Sequence, residues 1–319
     1  MSASIATSND PAKVSRTAQL ARRFWTQRYL FLMLMPGIVW FAVFCYYPMY
    51  GVTLAFRQYQ LGGSLMGSPW IGLAHFRSFF QSFDFWPVMR NTLAISFLKL
   101  LLCFPAGVIF ALLLNEVTQQ KLKRTIQTIS YLPHFLSWVV VASMAGQMMS
   151  SQGGAINALL MAMRIIDKPI MFMGKPEYFW WITVFTENWK EVGWSAIIYL
   201  AAIAGVDPQL YEAAAVDGVG KFKQVRYITL PCISSTILVM FILALAGVMN
   251  SNFEQLWLLR NSAVLSRAEV IDTHVFKVGI QLARYDYAAA VGLFKSVIGL
   301  IMLFIANLGA RHINDTSLF

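Results

Sequence analysis

Six apolar stretches, at 29–56, 90–115, 126–149, 179–204, 230–258 and 287–310, constrain this chain more than any other feature. Each is about 20 residues or longer, the length a helix needs to cross a bilayer. Backbone polar groups inside lipid must be satisfied within the segment itself, so all six are expected to be helices. Composition agrees. Apolar residues make up 58% of the 319 and charged residues only 13%, against about 45–50% and about 25% in soluble domains. So few charges could not cover the surface of a water-soluble globule of this size. The expected fold is an all-α integral membrane protein with six transmembrane helices. Pro36 and Pro48 in the first and Pro133 in the third predict kinks there.

The formal charge of +10 does not point to nucleic acid, because the basic residues sit in short patches flanking apolar runs rather than on one polar domain or stripe. That distribution belongs to a membrane protein with cytoplasmic anchors. Residues 1–28 are polar, with Lys13, Arg16, Arg22, Arg23 and Arg28, and read as a cytoplasmic tail before a retained anchor rather than a cleaved signal. The expected organisation is this tail, a transmembrane domain over 29–310 and a cytoplasmic tail over 311–319. Both termini are placed inside; Lys121, Lys123, Arg124, Lys221, Lys223, Arg226 and Arg311 then lie inside as well. The bias is slight, and the inverse topology stays open on charge alone. Outer loops fall near 57–89, 150–178 and 259–286, punctuated by turn clusters such as Gly62-Gly63-Ser64 and Ser151-Gln152-Gly153-Gly154.

Chemistry-bearing motifs are scarce. No GxxxxGK[ST], HExxH, CxxC or GxSxG occurs, and Cys45, Cys103 and Cys232 read as small apolar packing residues. His75, His134, His274 and His312 lie too far apart in sequence to suggest a local metal site. No catalytic residue, metal or cofactor is therefore expected in this chain. A membrane-embedded enzyme assembled from distant helices and a passive channel stand as rivals to a transport subunit.

The segment 205–231, between the fourth and fifth apolar runs, is different in kind. Asp207-Pro208 supplies an N-cap and a proline at the first helical position. A short helix through Tyr211-Glu212-Ala213-Ala214-Ala215-Val216-Asp217 should end at Gly218. A second turn carries Phe222 and Val225, and Ile228-Thr229-Leu230-Pro231 leads back toward lipid. The pattern Glu212-Ala213-Ala214, three residues, Gly218, nine residues, Ile228, one residue, Leu230-Pro231 resembles the EAA loop of bacterial ABC importer permeases. The resemblance implies a type I ABC importer permease fold. It also implies a coupling helix, with Glu212, Ala213, Ala214, Asp217, Gly218, Ile228, Leu230 and Pro231 meeting a cytoplasmic ATPase subunit.

Three further stretches are similar to the sugar-permease branch: Gly67-Ser68-Pro69-Trp70-Ile71-Gly72-Leu73, Tyr131-Leu132-Pro133-His134-Phe135-Leu136-Ser137-Trp138, and the run from Tyr287 to Ser296. They look most like the subgroup of alginate, aldouronate and rhamnogalacturonan importers. This implies a cytoplasmic-membrane permease, one of a heterodimeric pair with a second, homologous permease. Two ATPase subunits would hold ATP and Mg, and an extracytoplasmic solute-binding protein would deliver the cargo. The implied cargo is an oligosaccharide, acidic on this likeness, with a neutral oligosaccharide as the alternative.

Polar residues at membrane depth usually face a cavity or a partner. In the fourth run Glu187, Lys190, Glu191 and Trp194 fall on one helical face, with Trp189 nearby. In the fifth, Asn250, Glu254 and Trp257 share a face, with Asn252, Phe253 and Gln255 adjacent. Two readings stand: a sugar pathway, in which amides and carboxylates meet hydroxyls and aromatic rings stack on pyranose faces, or an interhelical polar network in which Glu187 and Lys190 neutralise each other. Lys99 and Lys295 are expected to snorkel or find partners rather than bind substrate.

Overall fold

The computed structural model describes residues 25–60, 62–64 and 67–314. Lys13, Arg16, Arg22 and Arg23 of the expected N-terminal tail, and residues 315–319, lie outside the described residues. The chain divides into two units between Thr53 and Leu54.

The first unit carries helix α1, Arg28–Trp40, which continues as a wide π-helical stretch over Phe41–Tyr46 and a tight 3-10 stretch over Tyr47–Phe56. Pro48 has no N–H for the carbonyl four residues back, and its ring crowds that carbonyl. The chain answers by widening just before Pro48 and tightening after it, a change of winding where the sequence predicts a kink. No residue of α1 is buried within its unit.

In the second unit a short helix α2, Ala74–Gln81, leads into α3, Phe85–Glu116. Helix α4, Gln120–Tyr131, carries Lys121 and Arg124 exposed on its surface. A tight turn over Leu132–Phe135 then separates it from α5, Trp138–Met148. The third apolar run, expected as one kinked crossing, is thus two helices bent by 103°. Pro133 cannot donate backward, Leu136 and Ser137 are extended, and the Ser137 hydroxyl accepts from the Val140 N–H at 3.4 Å to start α5 afresh. Helix α6, Ala155–Ala162, lies in the expected second outer loop.

Helix α7, Pro176–Ala204, spans 29 residues, about 43 Å at 1.5 Å per residue. Next come α8, Pro208–Val216, and α9, Lys221–Gln224, which winds wide over Val225–Thr229 ahead of Pro231 just as the first unit does ahead of Pro48. A 65° bend separates this segment, ending at Cys232, from α10, Ser234–Ala246. The fifth run is not one helix to residue 258. Gly247 ends α10, and α11, Phe253–Leu259, begins only after a break that holds Asn250, Ser251 and Asn252. Short polar side chains there compete for backbone groups and disfavour helix. Asn252 is left-handed (φ 59°) and its side chain caps α11 by accepting from the Gln255 N–H. Asn250 therefore does not share a helical face with Glu254 and Trp257. The chain closes with α12, Leu265–Ala268, α13, Ile271–Phe276, and the long α14, Tyr285–Asn314.

Among the described residues three helices are long and apolar enough to cross a membrane, and the two bent pairs bring the number to five. The expected sixth crossing, α7, has the length but carries Glu187, Lys190 and Glu191 mid-helix. Helix α3 is the spine of the second unit. Val88 and Met89 pack with Phe79, Ile271 and Tyr287, Ile95 packs with Phe179 and Leu256, and Val108 and Ala111 pack with Ala196, Tyr199 and Ile233. Helix α7 runs closely along it. On its other side α7 meets the end of α4 at Gly193, where a Cβ would collide with the Ser130 backbone.

Candidate functional site

Two places in the second unit concentrate the sequence-predicted residues. The first is the loop 205–231. Asp207 Oδ1 accepts from the Gln209 N–H at 2.9 Å, and Pro208 occupies the first turn of α8, as its fixed φ and missing N–H favour. At the other end Gly218 is left-handed (φ 71°). The Val219 N–H donates to the Ala214 carbonyl at 2.8 Å and the Gly218 N–H to the Ala215 carbonyl at 3.1 Å, the paired bonds of a Schellman ending. The Tyr211 hydroxyl and Thr229 Oγ1 lie 2.9 Å apart, and Gln224 Nε2 donates to the Val219 carbonyl at 2.8 Å. These bonds hold α8 against α9. Glu212, Ala213, Asp217, Gly218 and Pro231 are exposed, Ile228 and Leu230 are half-buried, and Ala214 is buried at 9% exposure. Val216 and Phe222, at 89% and 80% exposure, stand out from it.

The second place is a cavity of about 270 Å³ between α3, α7 and the break after α10, lined among others by Lys99, Glu187, Glu191, Ser195 and Asn250. Lys99 Nζ donates to Gln255 Oε1 at 2.7 Å, to Glu187 Oε2 at 3.3 Å and to the Ser251 carbonyl at 3.4 Å. Glu187 Oε2 also accepts from Asn252 Nδ2 at 3.1 Å. Gln255 is fully buried and donates to the Thr183 carbonyl and Thr186 Oγ1. One lysine from α3 thus joins α7 to the broken fifth run.

The α7 charges divide differently from the Glu187–Lys190 pair of the network reading. Lys190 is 5% exposed and donates to the His134 carbonyl at 2.6 Å and to Glu191 Oε1 at 3.1 Å. Its ammonium also lies 5.5 Å from the centre of the Trp138 ring. The His134 carbonyl, freed by the Leu132–Phe135 turn, draws Lys190 away from Glu187. His134 Nδ1 lies 2.7 Å from Glu191 Oε2, and its ring stacks on Trp194 with centroids 4.2 Å apart. Lys190 and Trp194 therefore belong to the elbow between α4 and α5. Trp189 borders a separate apolar hollow with Met144, Met148 and Phe185. Phe253 packs on Trp257 and Phe276, and Glu254 is exposed. Of the ten pathway candidates, Glu187, Glu191 and Asn250 line the cavity, and Asn252 and Gln255 brace its wall.

Asn250 also borders a second cavity, of about 590 Å³, with Asp272 and Lys295, which form an ion pair. Asp272 Oδ2 accepts from the Ser251 N–H at 3.2 Å. In the loop beyond, Glu269 lies 3.5 Å from His274 Nδ1 and 3.1 Å from Lys277 Nζ. His274 first and then Lys277 hold its carboxyl down at about 2 against the opposing effect of burial.

Residues 104–315 match the family of binding-protein-dependent transport system inner membrane components. The chain belongs to this family, the permeases of ABC importers, and is a transport subunit rather than an enzyme. It is similar to protein LplB of Bacillus subtilis (strain 168), 43% identical over 306 residues that cover 96% of this chain and 94% of that one. It is also similar to the polygalacturonan/rhamnogalacturonan transport system permease protein YteP of the same organism, 39% identical over 96% of this chain and 95% of that one. Its fold resembles a chain of the crystal structure of a bacterial ABC transporter involved in the import of the acidic polysaccharide alginate. The TM-score is 0.85 at 38% identity, covering 93% of this chain and 99% of that chain. A second structure, of a bacterial alginate ABC transporter in complex with an alginate pentasaccharide-bound periplasmic protein, matches with a TM-score of 0.86. A permease of this family works with a binding protein and a partner ATPase.

Proposed function

We propose that this chain is one of two homologous permease subunits of an ATP-driven importer of acidic oligosaccharides. Both termini lie in the cytoplasm, and the loop 205–231 docks into an ATPase subunit through α8, with ATP and Mg held by a pair of such subunits. The observation that carries the coupling role is the exposed, capped and Schellman-ended helix Pro208–Val216, rigid at both ends and tied to α9. A rigid helix transmits displacement where a floppy loop would absorb it. Closure of the ATPases on ATP would draw the coupling helices together and turn the cavity outward to receive sugar from the binding protein.

The acidic cargo is supported by the likeness to YteP and to the alginate transporter. The cavity beside the broken fifth run supplies carboxylates, amides and an ammonium at membrane depth, the place where transporters of interrupted helices hold their substrates. Glu187, Glu191 and Asn250 are its wall in this reading. Copurification of the intact complex, followed by a ligand screen on its binding protein, tests both parts. Recovery of ATPase subunits and a second permease, with selective binding of oligouronates, is expected. A complex without ATPase, or a binding protein that prefers neutral glucans, would contradict the coupling or the cargo assignment respectively.

A further inference from the structure

A cargo with many carboxylates brings charges that must be met wherever water is scarce. Lys99 and Lys295 offer ammonium groups on the walls of the two cavities that share Asn250. Their side chains are 14% and 18% exposed, and each already faces a carboxylate, Glu187 and Asp272. Ser251 sits between the pairs, its carbonyl toward Lys99 and its N–H donated to Asp272.

Lys99 is held more closely by a neutral acceptor than by its carboxylate. The shortest bond of Lys99 runs to the neutral oxygen of Gln255 at 2.7 Å, and Glu187 stands farther off at 3.3 Å. Glu187 has a second donor on the same oxygen, Asn252 Nδ2 at 3.1 Å. If a cargo carboxylate takes the ammonium, Glu187 keeps a hydrogen bond and Lys99 keeps an anion. Glu187 gives up its cation in the exchange and stays anchored by the Asn252 amide, at 19% exposure, so the cargo carboxylate has to outcompete it. A neutral sugar has no group that competes equally with a carboxylate for the ammonium, because charge-assisted hydrogen bonds are roughly twice as strong as neutral ones.

We propose that Lys99 determines specificity by receiving a uronate carboxylate in exchange for Glu187. The inference rests on the acidic-cargo reading and adds to it the residue that selects the charge. It also sets a sign. Lys99 is needed for acidic cargo, whereas Glu187 competes with that cargo.

The test uses the complete complex, with its ATPases and binding protein, in proteoliposomes. Uptake of an oligouronate is compared with uptake of the same oligomer with its carboxyls methyl-esterified, each delivered by saturating loaded binding protein. The ratio of the two rates is the readout, so a variant that assembles poorly lowers both rates and leaves the ratio interpretable. Lys99→Gln should lower the ratio about tenfold, the loss of roughly one charge-assisted bond. Lys99→Arg should preserve it, and Glu187→Gln should raise it. Unchanged ratios in Lys99→Gln and Glu187→Gln, in a complex whose wild type prefers the oligouronate, would overturn the exchange and leave Lys99 a staple between α3, α7 and the break. A wild type that prefers the esterified oligomer would instead remove the acidic-cargo reading and the exchange with it.

Discussion

At Gly218 a single backbone angle decides how α8 ends. Its φ of 71° is open to glycine and strained for a β-branched side chain, so Gly218→Val should cost about 1–2 kcal/mol locally and loosen the Schellman ending. The protein should still insert, while cargo-stimulated ATP hydrolysis by the assembled complex falls several-fold; wild-type stimulation would count against docking through α8. Glu269 offers a second residue-scale test. Its carboxyl is held at about 2, below the usual 4.5. A depressed acid stabilises the folded state above its unfolded pKa and loses that contribution as pH falls through its folded one. Stability in detergent should therefore decline between about pH 4.5 and pH 2, and Glu269→Gln should flatten that part of the profile. An identical decline in both proteins would show that other groups dominate. At this scale the sequence was readable where local rules apply: the Asp207 cap, Pro208 and the Gly218 ending follow from residue type and spacing. The partners of Glu187 and Lys190 do not follow from local rules. Helical spacing makes those two residues neighbours, yet Lys99, 88 positions from Glu187, and the His134 carbonyl take them apart.

Among the elements, the apolar runs were legible and their interruptions were not. Hydropathy averaged over about 19 residues passes across Asn250-Ser251-Asn252 because the flanks are so apolar, and so reports one helix where α10 and α11 stand apart. Pro133 signalled a kink, but the 103° turn also depends on the extended Leu136 and on Ser137 starting a new helix. That elbow includes the stretch Tyr131 to Trp138, one of those that resemble the sugar permeases, and it is fastened to α7 by Lys190, Glu191 and Trp194. The contact at Gly193 makes the fastening tight, since a Cβ there would meet the Ser130 backbone rather than a movable side chain. Gly193→Ala should destabilise the protein by about 1–3 kcal/mol, as overpacking does in other cores. The check is thermal unfolding in detergent, and an unchanged midpoint would mean that the end of α4 can slide along α7.

For the whole molecule, the composition marks a chain surrounded by lipid, and the EAA-like spacing resembles the importer permeases to whose family the chain belongs. The orientation rests on a slight charge bias. A cysteine at Ser64 or Ser262 should react with an impermeant thiol reagent added outside, and one at Lys221 only after the membrane is opened. The reverse pattern would invert the topology. The central claim is that this chain conducts an oligosaccharide only when ATP is hydrolysed by subunits docked on its inner loop. Uptake of a labelled oligouronate into proteoliposomes holding the complete complex and its binding protein measures this directly. Uptake should require ATP and stop when the ATPases cannot hydrolyse it, and uptake that persists unchanged after ATP depletion would contradict ATP-driven import.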